Sequence, residues 1–175
     1  GRCAMALMEL SDADELVQYP IWAPDMPGAG EGPIPTAEQT GAIAQDGAYT
    51  EALDRMADAY VDLIRKAGFT KAIWVGLSMG GYLVLDIQRL HPEAVAGLAL
   101  CDTKADADSA ASRANRLRIA DICETERTVD PVMHFAEPQP GDSTIKRAPR
   151  FIRQFTDWIQ AQRPEGVAWR ERMAA

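Results

Sequence analysis

Histidine is scarce in this chain, with two in 175 residues, His91 and His134, and cysteine is nearly so, with Cys3, Cys101 and Cys123. Three cysteines are an odd number without paired spacing. They argue against a disulfide framework or a zinc site and for a reducing, cytoplasmic compartment. No apolar run is long enough to span a bilayer, so no membrane role is expected. No secretory leader is visible, although the chain begins at Gly1 rather than Met. A phosphate loop ending in Gly-Lys-Ser/Thr is missing, and so is a G-x-G-x-x-G dinucleotide fingerprint; no cofactor is implied. Excess positive charge is missing too. Net charge is −8, and an acidic body repels polyanions, which speaks against nucleic acid as a partner.

What is present is ordinary for one globular domain: 47% hydrophobic and 25% charged residues. The charge is uneven. Residues 1–103 hold six Lys/Arg and 15 Asp/Glu, giving −9, whereas residues 104–175 hold 12 and 11, giving +1. That shift marks a subdomain boundary after residue 103.

The stretch with the most organisation is KAIWVGLSMGGYLVLDIQRL, from Lys71 to Leu90. Ala72–Gly76 reads as a buried-type strand and Tyr82–Leu90 as an apolar-periodic helix stopped by Pro92. Between them lies Gly76-Leu77-Ser78-Met79-Gly80, then a further Gly81. Strand, glycine-flanked serine and helix, in that order, form the context of a nucleophile elbow. Glycines two before and two after the serine let strand and helix approach without Cβ clashes. The helix N-terminus turns free N–H groups and a positive dipole end toward the serine, where an oxyanion would form. G-x-S-x-G alone occurs by chance in roughly one chain in twenty of this length, so the flanking elements carry the argument. The alternatives are a glycine-rich turn with an inert serine, or a phosphate-cradling loop.

Elsewhere, Met5–Leu10 reads as the end of a helix with a break at Ser11-Asp12, and 14–18 is left unassigned. Tyr19–Ala23 reads as a strand, followed by the turn Asp25–Gly32 and a long polar loop to Gly47. Leu53, Met56, Ala57, Tyr60, Leu63, Ile64 and Ala67 share one face of a helix over 50–67. Thr50 is its expected N-cap and Gly68 its left-handed stop. Ala94–Cys101 is the next strand. Alternating strands and helices imply a parallel sheet with ligands beyond the strands' carboxyl ends, where Ser78 and Asp102 would lie together. From Lys104 onward the pattern is helical, over 109–123, around Phe151–Ile159, and over 167–173.

GLSMGGYL, HPEAVAGLALCDTKADADSA and APDMPGAGEG together resemble the α/β-hydrolase fold superfamily, most nearly its enol-lactone hydrolase and esterase branch. The resemblance covers residues 19–110 best. It implies a partial α/β-hydrolase core over 1–103, a parallel sheet flanked by helices, and a helical cap over 104–175 that shapes substrate choice. It also implies Ser78 as nucleophile, the Met79 N–H as an oxyanion donor, and a small ester or lactone as substrate. The Asp25–Gly32 loop corresponds to a family segment D-x-x-G-x-G-x-S, with Gly32 in the last place; its role is to shape the rim, and Asp25 has no catalytic part.

The family orders its triad Ser, acid, His. Asp102 then reads either as the acid or as a cap of the following turn. His134, within Val132-Met133-His134-Phe135, formally completes the order as base. His91, in a helix-ending His-Pro-Glu turn, reads as structural. The family's His-Gly loop, its later Asp-bearing strand and its terminal Gly-His are missing, including a strand expected between Tyr19–Ala23 and the nucleophile strand. The expectation is a piece of a longer hydrolase, incomplete at both ends and inactive alone. A non-catalytic scaffold of the same fold is the other functional class. Oligomeric state stays open, as does the choice among lactonase, carboxylesterase and carbon–carbon bond hydrolase.

Overall fold

A computed structural model of the chain describes residues 19–175. The expectations for Met5–Leu10 and for 11–18, and Cys3 with them, lie outside the described residues. By internal contact the chain forms two compact units. Among the described residues, one comprises 19–35 with Arg118–Glu171, the other Thr36–Leu117 with Arg172–Ala175.

The second unit holds the sheet. A short helix α1 (Ala37–Thr40) begins on a capping box: Thr36 Oγ1 accepts the Gln39 N–H at 3.2 Å, and Gln39 Oε1 accepts the Thr36 N–H at 2.9 Å. Helix α2 (Ala52–Lys66) follows. Thr50 does not cap it. Its hydroxyl and its N–H both donate to the Ala42 carbonyl, at 3.3 and 3.0 Å, which closes the preceding loop instead. The other end is a Schellman stop. Gly68 sits at φ +88, its N–H donates to the Arg65 carbonyl, and the Phe69 N–H donates to the Ile64 carbonyl. The buried stripe of α2 is Ala52, Met56, Ala57, Val61 and Ile64. Val61 is fully buried while Leu63 is 45% exposed, so the face is turned slightly from the one expected.

Strand β1 (Ala72–Leu77), helix α3 (Met79–Leu90) and strand β2 (Val95–Cys101) make a βαβ unit with parallel strands, in register from Ile73↔Gly97 to Leu77↔Cys101. A 3₁₀ turn, Pro92–Ala94, links α3 to β2. Leu83, Val84 and Ile87 of α3 are buried with the α2 stripe and with Ala94, and they form this unit's core. Trp74 anchors β1 by donating Nε1–H to the Ala94 carbonyl at 3.1 Å. One expectation is corrected here. β1 is not buried on both faces: Ile73, Val75 and Leu77 are exposed, and the first is 66% so. These three share one face of the pleat. Gly76, between them, is buried against α3.

The sheet has two strands among the described residues. Tyr19–Ala23, expected as a strand, is irregular. A strand exists only through its partner's hydrogen bonds, and Pro20 and Pro24 each remove a donor from this segment.

The first unit is helical. Ile119, Ala120 and Cys123 belong to α4 (Ala110–Thr125), Val132 and Ala136 to a 3₁₀ stretch (Asp130–Ala136), and Ile159 to α5 (Pro149–Gln160). With Val167 and Ala168 of α6 (Pro164–Ala174) they form its core. Phe155 packs on Phe151 and, edge-on, on Trp158, with ring centroids 5.9 and 6.5 Å away. The Asp25–Gly32 turn belongs to this unit. Gly28, at φ +71, meets Gly166 backbone to backbone; a Cβ on Gly28 would stand 2.6 Å from the Gly166 Cα. Arg163 donates to the Gly32 carbonyl, and Arg170 donates to the Pro27 carbonyl at 3.2 Å. The Asp25 carboxylate accepts the Glu31 N–H at 3.0 Å and lies against Gly30, so it shapes the turn.

Candidate active site

Ser78 ends β1 and caps α3, and its backbone departs from both. With φ 51 and ψ −117 it occupies a region that residues with a Cβ rarely enter. Holding a non-glycine residue there costs about 1–3 kcal/mol, so the surroundings must enforce it. They do so through the main chain. The Ser78 N–H donates to the Cys101 carbonyl at 2.9 Å, and the Ser78 carbonyl accepts the Gly81 N–H at 2.8 Å and the Thr103 hydroxyl at 2.8 Å. With both backbone polar groups engaged, the side chain stands exposed at the carboxyl end of the strand.

The glycines divide the work unequally. A Cβ on Gly76 would lie 2.5 Å from the Gly80 carbonyl oxygen and 2.7 Å from Val84 Cγ2. Gly76 therefore permits strand and helix to touch. Around Gly80 nothing lies within 4 Å of the Cβ position, so that glycine is not needed for space. Gly81, outside the five-residue pattern, is the tight one on the helix side, with Thr103 Cβ and Cγ2 both 2.5 Å from its Cβ position.

Met79 is the first residue of α3, so its N–H has no intrahelical acceptor. Asp102 follows β2 directly, beside the end of β1, at φ 45. The structure thus brings Ser78, the Met79 N–H and Asp102 to one edge of the sheet unit. Among the described residues the Ser78 hydroxyl and the Asp102 carboxylate are not hydrogen-bonded to each other. His134 belongs to the helical unit, in the 3₁₀ stretch, and is exposed. Its Nδ1 stands 2.9 Å from the Pro131 carbonyl. A carbonyl can only accept, so Nδ1 carries the hydrogen and Nε2 is the basic nitrogen. His91 lies at the far end of α3, a helix length of about 20 Å from Ser78 at 1.5 Å per residue. There its Nε2 meets Asp58 Oδ1 at 2.6 Å and its Nδ1 meets Glu93 Oε1 at 3.5 Å.

The extra Gly81 is the one signal in the sequence for a close contact with Thr103. Just beyond it, a 270 Å³ cavity is lined by Leu53, Tyr82, Leu85, Asp86, Lys104 and Asp108, among others. Two of its charged side chains, Lys104 and Asp108, pair with each other. Asp108 receives Lys104 and Arg116, each at 2.5 Å. Burial works to raise the Asp108 carboxyl, but those two bonds outweigh it and hold the group below the usual carboxylate value. Asp86 is the opposite case. Burial pushes its carboxyl up and nearby Asp54 adds to this, against the opposing pull of Arg89 at 2.8 Å. Ser78 does not line this cavity.

The model of the α/β-hydrolase fold matches residues 4–122. The chain belongs to the α/β-hydrolase fold family. A thermophilic esterase from Thermogutta terrifontis, solved with malate bound, is similar to this α/β-hydrolase chain at 30% sequence identity with a TM-score of 0.67. The match covers 86% of this chain and 50% of that one, so the chain spans about half the length of the esterase structure it matches. No curated protein matches. Among the described residues no helix is long and apolar enough to cross a membrane.

Proposed function

We propose that this chain carries the nucleophile of a serine hydrolase acting on small esters or lactones. The observation that carries the reading is the forced backbone of Ser78, at φ 51 and ψ −117, between a parallel strand and a helix N-terminus. Strain of this kind persists where the surrounding structure over-determines it, and active sites are where it concentrates. Membership of the α/β-hydrolase family and the esterase neighbour support the same class.

In this mechanism Ser78 Oγ attacks the carbonyl carbon as a base takes its proton. The carbonyl oxygen becomes an oxyanion held by the Met79 N–H. Collapse of the tetrahedral species expels the alcohol, or opens the lactone ring, and leaves an acyl ester on Ser78. Water then repeats the attack and releases the acid. Asp102 and His134 follow Ser78 in the family's acid-then-histidine order. Reaction rates of Asp102→Asn and His134→Ala measure what each contributes. Residues 104–175 are read as the cap that shapes substrate choice, and the free Cys101 and Cys123 fit a cytoplasmic setting.

One observation favours a second reading, a non-catalytic scaffold: among the described residues the Ser78 hydroxyl has no hydrogen-bonded base. Turnover of a panel of p-nitrophenyl esters and aromatic lactones by the full-length protein separates the two. Hydrolysis abolished by Ser78→Ala supports the enzyme. Hydrolysis unchanged in that variant, or none in the parent, favours the scaffold.

A further inference from the structure

Ser78 and Met79 share one peptide group. A trans peptide is planar, with its C=O and N–H pointing in opposite directions. Whatever fixes the Ser78 carbonyl therefore also aims the Met79 N–H. Two donors fix that carbonyl: the Gly81 N–H, one turn along the same helix, and Thr103 Oγ1, from the segment leaving the neighbouring strand, both at 2.8 Å. The first is a local turn bond that any helix start can make. The second joins two strand ends and depends on this one side chain.

Gly81 makes the second bond possible. Its bare Cα admits Thr103 onto the helix backbone, where a Cβ would lie 2.5 Å from Thr103 Cβ and Cγ2. Packed this closely, the threonine has little rotational freedom, and its hydroxyl is held on the Ser78 oxygen. A two-point grip on the oxygen of a peptide whose preceding residue has φ 51 resists the relaxation that would swing the Met79 N–H away.

We propose that Thr103 is a positioning residue of this site, orienting the Ser78–Met79 peptide so that the Met79 N–H meets the oxyanion. The inference rests on Ser78 being the nucleophile. Thr103 touches no substrate atom; it acts through the peptide it holds.

The test is the rate of covalent reaction of the full-length protein with a fluorophosphonate, resolved into the maximal rate and the half-saturating concentration. Phosphonylation passes through a charged transition state needing the same donor, whatever the natural substrate. In Thr103→Val the maximal rate falls about 10- to 100-fold, toward the loss seen when an oxyanion donor is removed. The half-saturating concentration stays within about twofold, because the ground-state pocket is untouched. Thr103→Ser, which keeps the hydroxyl, stays within about threefold of the parent, a rescue that a role in packing alone would not give. Where Thr103→Val does not melt cooperatively, Thr103→Ala is read instead, with the same expectation. Parent rates in the hydroxyl-free variant, or a Thr103→Ser loss equal to that of valine, overturn the positioning role while leaving Ser78 as nucleophile. Absence of labelling at Ser78 in the parent overturns both.

Discussion

The Cα of Gly76 faces the carbonyl oxygen of Gly80 so closely that a methyl group added to it would stand 2.5 Å from that oxygen, while the same addition at Gly80 meets nothing within 4 Å. The two glycines of the motif are thus not equivalent. Gly76→Ala forces strand and helix apart and is expected to destabilise the protein by about 1–3 kcal/mol, as overpacking does. Gly80→Ala, in helical backbone and open space, is expected to be neutral or to stabilise by up to about 1 kcal/mol. Urea denaturation of the two variants measures both. Equal losses would show that the pattern, rather than the contact, sets the requirement.

Cys101 and Cys123 are free thiols in opposite surroundings, one exposed and one fully buried. Burial pushes the Cys123 thiol up to about 11, so at pH 8 it is neither reachable nor ionised. Brief iodoacetamide treatment of the folded protein should therefore alkylate Cys101 and spare Cys123, with both modified after unfolding in urea. Peptide mass mapping reads the result, and early modification of Cys123 would contradict the packing of the helical unit.

The paired carboxylates give the stability a pH dependence of two signs. Asp108 is held low by Lys104 and Arg116 despite its burial. Its contribution is present above the usual carboxylate value near 4 and fades as pH falls below it. Asp86 is raised, first by burial. In the window above its ordinary value the folded state holds the proton more tightly, so its contribution grows as pH falls through that window. Asp86→Asn removes the buried charge and leaves the exposed Arg89 its second partner, Asp54, at 2.6 Å. The variant is expected to melt at or above the parent at pH 7, with the difference shrinking toward pH 4. Melting temperatures across pH 4–8 check this. A variant less stable by the same margin at every pH would show that the Arg89 bond outweighs the burial.

His91 is tied to Asp58 and Glu93 a helix length from Ser78. Its partners are 61% and 59% exposed, so solvent screens both contacts and their loss should cost little. His91→Ala should keep ester turnover within about twofold of the parent, with a melting temperature a few degrees lower at most. A loss of turnover with intact folding would make His91 part of the chemistry.

The βαβ unit around Ser78 was legible because local patterns dictate it. Apolar β-formers, a glycine-flanked serine and a 3.6-residue period follow one another without interruption. The left-handed stop at Gly68 was legible for the same reason. What escaped the sequence depends on partners far along the chain. Thr50 has a good capping side chain, but Ala42, eight residues earlier, takes it. Val61 and Leu63 are equally apolar, and only the direction of the packed neighbour decides that Val61 goes in. Tyr19–Ala23 has strand-forming residues without a paired strand among the described residues. Thr103 and Gly81 are 22 positions apart, and nothing periodic links them. Their contact exists because β2 runs parallel to β1, which sets its end beside the start of α3.

The most direct measurement is the site of fluorophosphonate attachment. The full-length protein is treated with the probe, digested and sequenced by mass spectrometry. Ser78 as nucleophile predicts one phosphonylated residue, Ser78, with labelling abolished in Ser78→Ala. An unmodified Ser78 in folded protein, or attachment that persists in Ser78→Ala, would contradict it.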